Sequence, residues 1–532
     1  MQGIVYIVGA GPGDPSLITV RGREVLKRAD VILHDRLAAP ELLSNAPGGA
    51  EIIFVGKQPG RHAFSQAEIN ALMAEKACEG RIVVRLKGGD PLIFGRGGEE
   101  ADHLAAQGIE FEIIPGVSAA CGAAASTGVP LTDRRISSRV TFVTAREGDG
   151  ASTGVDWTNL AKTGGTLAIY MGRANLASTA ASLVEGGLEA STACLVVERA
   201  TLSVQRTVHS TLGEVASACE VAGIEPPCVV MVGGVTEQYP SAAWFEKRPL
   251  FSRHIMVTRP AGQQEWLLAA FTTLGARVSS FPTIEISPEP PERLKEGLLH
   301  LEESDWVVFT SANGVGVFFD ALDAACLDAR FMGGRRVAAI GSATGEALSR
   351  RGIRADMVPA HFTGAALLTD LLEESLPGQR ILLWRADAAG RLLPEGLRKA
   401  GRHVVDFTAY RVEKPSQQGR GAVSALEAAP PDAILFTSGL TVLNFIEIVG
   451  RERALALVGR SVVVSIGPVT TAALAKSGIR VAAEAQPHDR QGLLDATLSV
   501  LGAQAPQWFD AWRLKTTGKG APWSESRDNP AK

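Results

Sequence analysis

The second half of the chain contains one pattern twice, and this duplication limits the folds that the half can adopt. Asp305-Trp-Val-Val-Phe-Thr-Ser311 has a counterpart in Asp432-Ala-Ile-Leu-Phe-Thr-Ser438, about 126 residues later. Further pairs share this spacing: 337–344 with 463–470, and 255–259 with 381–385. Each copy, 255–380 and 381–503, alternates short apolar strands with helical patterns. That alternation predicts parallel sheets covered by helices, and the period is too long for a solenoid.

Hydroxyl-bearing residues follow four of the predicted strands in these copies. The carboxyl ends of parallel strands are where ligands bind in open α/β sheets. Hydroxyls and helix N-terminal amides there suit a carboxylate ligand. Each residue could instead be only a helix N-cap. The candidate anion-binding residues are Thr310, Ser311, Ser342, Thr437, Ser438, Thr470 and Thr471.

A glycine-rich loop marks the first half of the chain. Residues 83–87 end a predicted buried strand, residues 88–98 contain five glycines and one proline, and Glu99-Glu100 opens a helical pattern. Such loops bring bare backbone close to a ligand, whereas an ordinary βα turn needs only one or two glycines. We therefore expect a binding site at this turn.

A second glycine-rich turn, Gly9-Ala-Gly-Pro-Gly-Asp14, follows the predicted strand 4–8. Its spacing departs from the dinucleotide fingerprint, and Pro12 would distort the pyrophosphate turn. A nicotinamide cofactor is therefore disfavoured. Residues 114–120 again indicate a strand, a turn and a helix start, and residues 167–172 indicate a strand that ends at Met171.

Composition indicates a multidomain protein without a nucleic-acid or membrane partner. The 532 residues suffice for about three to four domains. The net charge of −4 gives no general attraction to nucleic acid or anionic lipid, and no apolar run has the length of a membrane span. We see no signal peptide. Six scattered cysteines suit the reducing cytoplasm and argue against a zinc site, so we expect no metal.

The ordered motifs of residues 1–245 resemble those of uroporphyrinogen-III C-methyltransferases. They are Gly9-Ala-Gly-Pro-Gly-Asp14, Ala29-Asp-Val-Ile-Leu-His-Asp-Arg36, Val55-Gly-Lys57, Arg85-Leu-Lys-Gly-Gly-Asp-Pro91, Ile114-Pro-Gly-Val117, Pro130-Leu-Thr132 and Tyr170-Met-Gly172. The resemblance implies the tetrapyrrole methylase fold with two α/β domains, S-adenosylmethionine (SAM) as cofactor, and a homodimer formed through this half.

The same resemblance implies roles for individual residues. Asp35 matches a proposed base, although it could instead cap a helix or pair with Arg36; Lys57 matches an active-site lysine, although it could be a solvated loop residue. The substrate is a polycarboxylate, so Arg36, Arg96, Arg134 and Arg135 are candidate ligands. The implied cofactor contacts are Pro12, Gly88, Gly89, Asp90, Ile93, Ser118, Ala119, Met171 and Ala200.

Two positions depart from the pattern of this family. Asp133 stands where histidine is usual, which would change the charge of the pocket. Ala200 stands where a glycine of the cofactor loop is usual, and a positive φ there would cost about 1 kcal/mol. These departures affect the expected affinity for the cofactor more than its identity.

Residues 253–502 resemble uroporphyrinogen-III synthases. The matching motifs are Val257-Thr-Arg-Pro260, Phe281-Pro-Thr-Ile-Glu285, Phe309-Thr-Ser-Ala-Asn313, Ala409-Tyr-Arg411, Phe436-Thr-Ser438 and Ile466-Gly-Pro-Val-Thr-Thr471. The resemblance implies two parallel α/β lobes, with the chain crossing near Thr283 and returning near Arg411. Tyr410 matches a tyrosine proposed to assist departure of the substrate hydroxyl, and it could equally be a buried structural residue.

Together the two resemblances imply a cytoplasmic bifunctional enzyme. Residues 1–246 would be the methyltransferase and residues 250–503 the synthase. Residues 504–532 would be a tail without regular structure, although Trp508, Trp512 and Trp523 could instead form a small docked patch. The synthase would cyclise hydroxymethylbilane with inversion of ring D, and the methyltransferase would methylate uroporphyrinogen III at C2 and C7 to precorrin-2, for sirohaem or cobalamin. The alternatives are another corrin-pathway C-methyltransferase, or a tetrapyrrole sensor in the C-terminal half.

Overall fold

The computed structural model describes residues 2–56, 64–145, 154–237, 242–415 and 420–516. These residues form two compact units. The first runs to Arg253 and includes Phe271–Arg277 and the chain from Ala503, and the second comprises His254–Ala270 and Val278–Gly502. Among the described helices, none combines the length and the apolarity that a bilayer span requires.

The first sheet of the first unit is entirely parallel, in the order β3-β2-β4-β1-β5. Its central strands β2, β4 and β1 are mainly buried, because helices pack on each side of the sheet, whereas the edge strands β3 and β5 are partly exposed. The helix α2 begins with a capping box between Ser65 and Glu68. The strands and helices are β1 (Ile4–Gly9), α1 (Val20–Leu26), β2 (Val31–His34), β3 (Glu51–Phe54), α2 (Gln66–Cys78), β4 (Ile82–Lys87), α3 (Gly97–Ala106) and β5 (Glu110–Ile114).

The second sheet of the first unit is mixed, in the order β6-β7-β10-β8-β9. Strands β6 and β7 are parallel, and the remaining pairs are antiparallel. The elements are α4 (Ala119–Thr127), β6 (Val140–Thr144), α5 (Trp157–Lys162), β7 (Thr166–Tyr170), α6 (Leu176–Glu185), β8 (Ala193–Glu198), β9 (Arg206–Thr211), α7 (Val215–Val221) and β10 (Cys228–Val232).

The second unit contains two sheets, which we call lobe 1 and lobe 2. Lobe 1 has the order β12-β11-β18-β19-β20 and lobe 2 the order β13-β17-β16-β14-β15. The strands of lobe 1 are β11 (His254–Val257), β12 (Arg277–Ser280), β18 (Ala433–Phe436), β19 (Val462–Ser465) and β20 (Ala483–Glu484). The strands of lobe 2 are β13 (Glu285–Pro288), β14 (Trp306–Phe309), β15 (Arg336–Ala339), β16 (Arg380–Ala386) and β17 (His403–Glu413).

Helices alternate with these strands, as the duplicated pattern predicts. They are α8 (Glu265–Thr273), α9 (Pro291–Glu302), α10 (Ala312–Ala324), α11 (Ser342–Arg350), α12 (Gly364–Glu374), α13 (Leu392–Lys399), α14 (Arg420–Ala428), α15 (Gly439–Val449), α16 (Arg451–Val458), α17 (Pro468–Lys476) and α18 (Arg490–Val500).

The chain crosses between the lobes where the sequence predicts. Thr283 lies between β12 and β13, fully buried, and its hydroxyl donates to the carbonyl oxygen of Thr258 at 3.2 Å. The expectation of wholly parallel sheets is wrong at one edge, because β13 runs antiparallel to β17. The chain enters lobe 2 through β13 and leaves it through β17, so these neighbours run in opposite directions. The edge position also tolerates Pro288.

The C-terminal segment differs from its expected lack of structure. Gln507–Thr516 form a helix, α19, and Phe509 is fully buried. The rings of Phe509 and Trp512 stack with their centroids 4.9 Å apart. Aromatic burial therefore orders part of this segment, and residues 517–532 lie outside the described chain.

Candidate active sites

The glycine-rich turns after β1 and β4 meet in the first unit. The Gly89 amide donates to the Gly11 carbonyl at 2.7 Å, and the Gly11 amide donates to the Gly89 carbonyl at 3.2 Å. A Cβ at Gly116 would lie 2.2 Å from the Gly89 oxygen, so only glycine fits there. Gly89 itself has a φ of 68°, and a Cβ on it would make one ordinary contact, with the Ala119 nitrogen at 3.8 Å. The backbone is therefore bare on the side that a ligand can approach.

Asp90 fixes the shape of this cradle. One carboxylate oxygen accepts from the Gly116 amide at 3.0 Å, and the other accepts from the Leu92 amide at 2.8 Å. The carboxylate therefore joins the loop after β4 to the loop after β5. Gly88 packs against Leu37, where a Cβ would lie 2.5 Å from the Leu37 side chain.

An apolar wall lines the cradle next to α4 and β7. Ile93, Ala119 and Ala200 pack in one cluster with Tyr170. The Tyr170 hydroxyl lies 2.7 Å from the Ser118 hydroxyl and accepts from the Ala120 amide at 3.1 Å. Burial raises the pKa of Tyr170, so its phenol stays neutral.

Two further predicted cofactor residues border this wall. Met171 follows Tyr170 with a φ of 54° and a half-exposed side chain. Pro12 packs on α4 at Gly122, where a Cβ would lie 2.5 Å from the proline ring. The structure thus brings the predicted cofactor residues to one place.

Ala200, which stands where the family usually has glycine, does not adopt a positive φ. The left-handed residues are its neighbours, Arg199 with a φ of 47° and Thr201 with a φ of 70°. The Thr201 hydroxyl accepts from the Asp14 amide at 3.0 Å, which joins this loop to the glycine-rich turn after β1. Alanine at position 200 therefore costs no strain from a positive φ.

Asp35 lies just after β2 and contacts two groups. One carboxylate oxygen accepts from the Leu37 amide at 3.0 Å, and the other lies 3.7 Å from a guanidinium nitrogen of Arg85. The alternative of a local turn cap is therefore real, but the charged partner is Arg85, not Arg36. The side chain is partly exposed, so it is accessible to a substrate.

Behind Asp35 lies a buried cluster of charges. The Oε1 atom of Glu100 accepts from Arg85 Nε at 3.1 Å, Lys87 Nζ at 2.7 Å and Gln66 Nε2 at 3.1 Å. Arg85 also donates to the carbonyls of Leu33 and Leu86. Burial and the neighbouring Arg85 lower the pKa of Lys87, while Glu100 and Asp35 oppose that shift. The two cations, Arg85 and Lys87, are thus balanced by two acidic side chains, Glu100 and Asp35.

Sequence reasoning missed Arg85, Lys87 and Glu100. A signal was present, because alternate residues of a strand share one face and β4 is otherwise apolar. Two cations on one face of a buried strand require a buried acid, and Glu100 is the acid that opens α3. We therefore add these three residues to the candidate site.

The basic residues predicted to bind the substrate differ in exposure and in their partners. Lys57 lies outside the described residues. Arg36 and Arg134 are exposed, and Arg96 forms a bidentate pair with Glu99 at 2.8 and 2.7 Å. Arg135 forms a bidentate pair with Asp133 at 3.0 and 2.8 Å, so the departure at position 133 adds a neutralised charge.

In the second unit, Tyr410 of β17 lies beside the start of α10. Its hydroxyl is 2.6 Å from the Ser311 hydroxyl, which also accepts from the Gly314 amide at 3.0 Å. Tyr410 is buried and Ser311 is partly exposed. Burial raises the pKa of Tyr410, which keeps the phenol protonated.

The other predicted hydroxyl groups divide into four kinds. Ser438 caps α15 through the Thr441 amide, as the N-cap alternative predicts. Thr470 is buried, which leaves no surface for a ligand, contrary to expectation. Thr471 is engaged with Glu484 and with Ser465. The accessible ones at the strand ends are Thr310, Ser342 and Thr437.

Within the described ranges, no three His, Cys, Asp or Glu side chains come together so as to hold a metal ion. Residues 4–216 match the family model described as Tetrapyrrole (Corrin/Porphyrin) Methylases, and residues 266–495 match the one described as Uroporphyrinogen-III synthase HemD. The "Porphyrin biosynthesis protein HemD" of Ruminiclostridium josui is 34% identical over 446 residues, which cover 84% of this chain and 88% of that protein. The chain belongs to the family of fused tetrapyrrole methylases and uroporphyrinogen-III synthases.

Two other similar proteins have methyltransferase names. The uroporphyrinogen-III C-methyltransferase of Bacillus subtilis (strain 168) is 39% identical over 352 residues, which cover 66% of this chain and 72% of that protein. The "S-adenosyl-L-methionine-dependent uroporphyrinogen III methyltransferase" of Methanosarcina barkeri is 45% identical over 234 residues, which cover 44% of this chain and 92% of that protein.

Membership of this family assigns the two folds. The first unit has the tetrapyrrole methylase fold with two α/β sheets, and the second has the two-lobed uroporphyrinogen-III synthase fold. The predicted fold class is therefore confirmed. The glycine cradle and the Asp35 cluster belong to the methylase half, and the Tyr410–Ser311 pair belongs to the synthase half.

Proposed function

We propose that the chain catalyses two consecutive steps of tetrapyrrole synthesis. The synthase half cyclises hydroxymethylbilane to uroporphyrinogen III with inversion of ring D. The methylase half then methylates uroporphyrinogen III at C2 and C7 with SAM to give precorrin-2, for sirohaem or cobalamin. The observation that carries the proposal is the match to the Ruminiclostridium josui protein, which covers 84% of this chain and therefore includes both halves.

The glycine-lined cradle fits SAM. The backbone at Gly89 is not crowded, since a Cβ there would have only the Ala119 nitrogen within 4 Å, and an apolar wall lies beside it. This combination suits a ligand with an adenine ring and a charged amino-acid end. When bound there, SAM would supply an electrophilic methyl group. The residues that would hold it are Pro12, Gly88, Gly89, Asp90, Ile93, Ser118, Ala119, Met171 and Ala200.

Asp35 is the proposed proton acceptor of the methylase half. Methylation at a ring carbon requires loss of a proton from the macrocycle, and a positioned carboxylate can accept it. The Leu37 amide and the Arg85 guanidinium orient this carboxylate. Lys57 is the proposed active-site lysine. Arg36, Arg96 and Arg134 would hold the substrate carboxylates, since guanidinium groups bind carboxylates in a bidentate manner.

In the synthase half, the Tyr410–Ser311 pair would assist departure of the terminal hydroxyl. Tyr410 is buried and stays protonated, and its hydroxyl is 2.6 Å from the hydroxyl of the partly exposed Ser311. A proton can therefore pass from the phenol through Ser311 to the leaving hydroxyl. Thr310, Ser342 and Thr437 would contribute to carboxylate binding.

The Tyr410→Phe variant tests this assignment against an internal standard. We expect its synthase kcat to fall at least about tenfold, while methylation of supplied uroporphyrinogen III continues at the wild-type rate. Type I and type III products are separated by chromatography, and methylation is followed by mass. Normal formation of the type III product by Tyr410→Phe would exclude the proposed role of the phenol.

We propose further that residues 1–246 and 250–503 are the functional halves and that the protein is a cytoplasmic homodimer joined through the methylase half. The free state of all six cysteines supports a reducing compartment. The proposed binding partners are small tetrapyrroles. We propose that the protein binds neither nucleic acid nor membranes.

A further inference from the structure

Two arginines of lobe 1 lie close together without an acidic partner. Arg259 follows β11, and Arg490 is the first residue of α18. The Arg259 guanidinium donates to the Gln263 side-chain oxygen at 3.1 Å, and the Arg490 guanidinium lies over the Trp266 ring, 5.0 Å from its centroid. Among the described residues, neither arginine forms an ion pair with Asp or Glu.

Both guanidinium groups contact residues around the start of α8, Arg259 through Gln263 and Arg490 through Trp266, so two like charges lie near each other. Burial lowers the pKa of Arg259, and the positive charge of Arg490 adds to that shift. Buried cations are normally paired, as in the same unit, where Asp406 accepts from Arg385 at 2.5 and 2.6 Å. A bound anion would supply such a partner to the two arginines.

The neighbouring acids are already engaged. The Asp489 carboxylate caps α18 by accepting from the Gln491 and Gly492 amides, both at 2.9 Å. Glu484 accepts from the Thr471 hydroxyl. Neither of these carboxylates pairs with Arg259 or Arg490, which leaves both guanidinium groups open to an external anion.

The two arginines lie on the side of lobe 1 that contacts the catalytic edge of lobe 2. Gln263, the partner of Arg259, donates to the side-chain oxygen of Asn313 in α10. The N-cap of α10 is Ser311, which is hydrogen-bonded to Tyr410. Two side-chain contacts therefore connect Arg259 to Asn313, which lies two residues after Ser311 in the chain.

We propose that Arg259 and Arg490 form a carboxylate subsite that holds a side chain of the linear tetrapyrrole next to the Tyr410–Ser311 pair. This inference rests on the proposed synthase function. The guanidinium groups would bind one substrate carboxylate and so fix the chain while its terminal hydroxyl departs. Trp266 would keep Arg490 in position by the cation–π contact.

Steady-state kinetics of the full-length protein with hydroxymethylbilane test this proposal. We expect Arg490→Gln and Arg259→Gln to raise the KM about tenfold each, with kcat changed less than about threefold. Arg490→Lys should recover part of the loss, because a lysine keeps the charge but not the bidentate geometry. Methylation of supplied uroporphyrinogen III should be unchanged in every variant.

The matched control is Arg480→Gln, an exposed arginine of the same lobe that precedes β20 and lies at the opposite sheet edge. Its KM should equal that of the wild type. A KM within twofold of wild type in both Arg490→Gln and Arg259→Gln would overturn the subsite, as would a loss in kcat alone. If Arg259→Gln fails to fold, the KM of Arg490→Gln alone decides whether the subsite exists. Absence of turnover by the wild type would instead refute the synthase function itself.

Discussion

At the residue scale, the methylase half depends on a charge cluster that is mostly out of contact with water. Glu100 is fully buried and receives Arg85 and Lys87 on one oxygen atom. Removing one partner from a buried ion pair leaves an uncompensated charge, which costs more than the pair itself contributes. The cluster joins β4 to α3, the two elements on either side of the glycine-rich loop, and it contacts Asp35 through Arg85.

Replacing Asp35 with asparagine should slow methyl transfer by about a hundredfold, since an amide cannot accept the proton that a carboxylate can. Asparagine can still accept from the Leu37 amide, so the melting temperature should stay close to that of the wild type. Initial rates of SAM consumption check this prediction. The control is Asp102→Asn, an exposed residue of α3. Equal methylation rates for Asp35→Asn and the wild type would remove Asp35 as the base.

The Glu100→Gln variant should lose about 3–5 kcal/mol of unfolding free energy, because Lys87 would remain buried without a bonded acid and Arg85 would keep only its 3.7 Å contact with Asp35. Urea denaturation of the full-length protein, followed in the methylase half, measures the change. Glu99→Gln is the matched control, since Glu99 is exposed on the same turn and should alter stability by less than about 0.5 kcal/mol. A loss below about 1 kcal/mol for Glu100→Gln would show that the cluster is not a stability determinant.

At the element scale, the second sheet of the methylase half contains thiols that titrate abnormally. Cys194 of β8 is 1% exposed, and burial raises the pKa of its thiol from 9.0 to about 12. Between these two values the unfolded chain releases the proton and the folded chain keeps it. The contribution of the buried Cys194 thiol to the unfolding free energy is therefore fully present below pH about 9 and is lost as the pH rises toward 12.

The Cys194→Ala variant should remove this part of the pH dependence. Between pH about 8.5 and about 10.5, the wild type should lose about 2 kcal/mol more unfolding free energy than the variant does. Urea denaturation at the two pH values gives the difference. Cys78→Ala, which replaces an exposed thiol, should behave as the wild type. Identical pH dependence in Cys194→Ala and the wild type would contradict the assigned burial effect.

The sequence predicts elements well where one local rule decides them. The duplicated βα pattern gives the strands and helices of the synthase half, and the glycine-rich turns give the cradle around Gly89. It fails where packing between distant elements decides. The pairing of Glu100 with Arg85 depends on how α3 lies on β4, and the antiparallel direction of β13 depends on the path of the chain between lobes.

Other differences have the same origin. The burial of Thr470 follows from the packing of α17 on lobe 1, which a hydroxyl after a strand does not reveal. The order of α19 follows from the burial of Phe509. The positive φ at Arg199 and Thr201, instead of at Ala200, is a property of the loop conformation that residue identity alone does not fix.

At the scale of the whole molecule, each half contains the sheets and the site residues that its reaction requires. The proposed cofactor residues from Pro12 to Ala200 and strands β1–β10 lie within residues 1–246. Tyr410, Ser311 and both lobes lie within 250–503. The compact units differ from this division, because Phe271–Arg277 and the segment from Ala503 group with the first unit.

Expressed separately, residues 1–246 should bind SAM and methylate uroporphyrinogen III as a dimer, and residues 250–503 should act as a monomeric synthase. The methylase fragment should melt at a lower temperature than in the full-length protein, since it lacks the two segments that group with it. Gel filtration and separate rate measurements check this. A fragment that aggregates, or that regains activity only on mixing, would contradict independence of the halves.

The central claim is that one chain performs both reactions in sequence. Its most direct test is a single incubation of the purified full-length protein with hydroxymethylbilane and excess SAM under reducing conditions, followed by mass spectrometry of the tetrapyrrole product. We predict a cyclic type III product that carries two added methyl groups. A product without added methyl groups, or one that retains the linear chain or the type I ring order, would contradict the account.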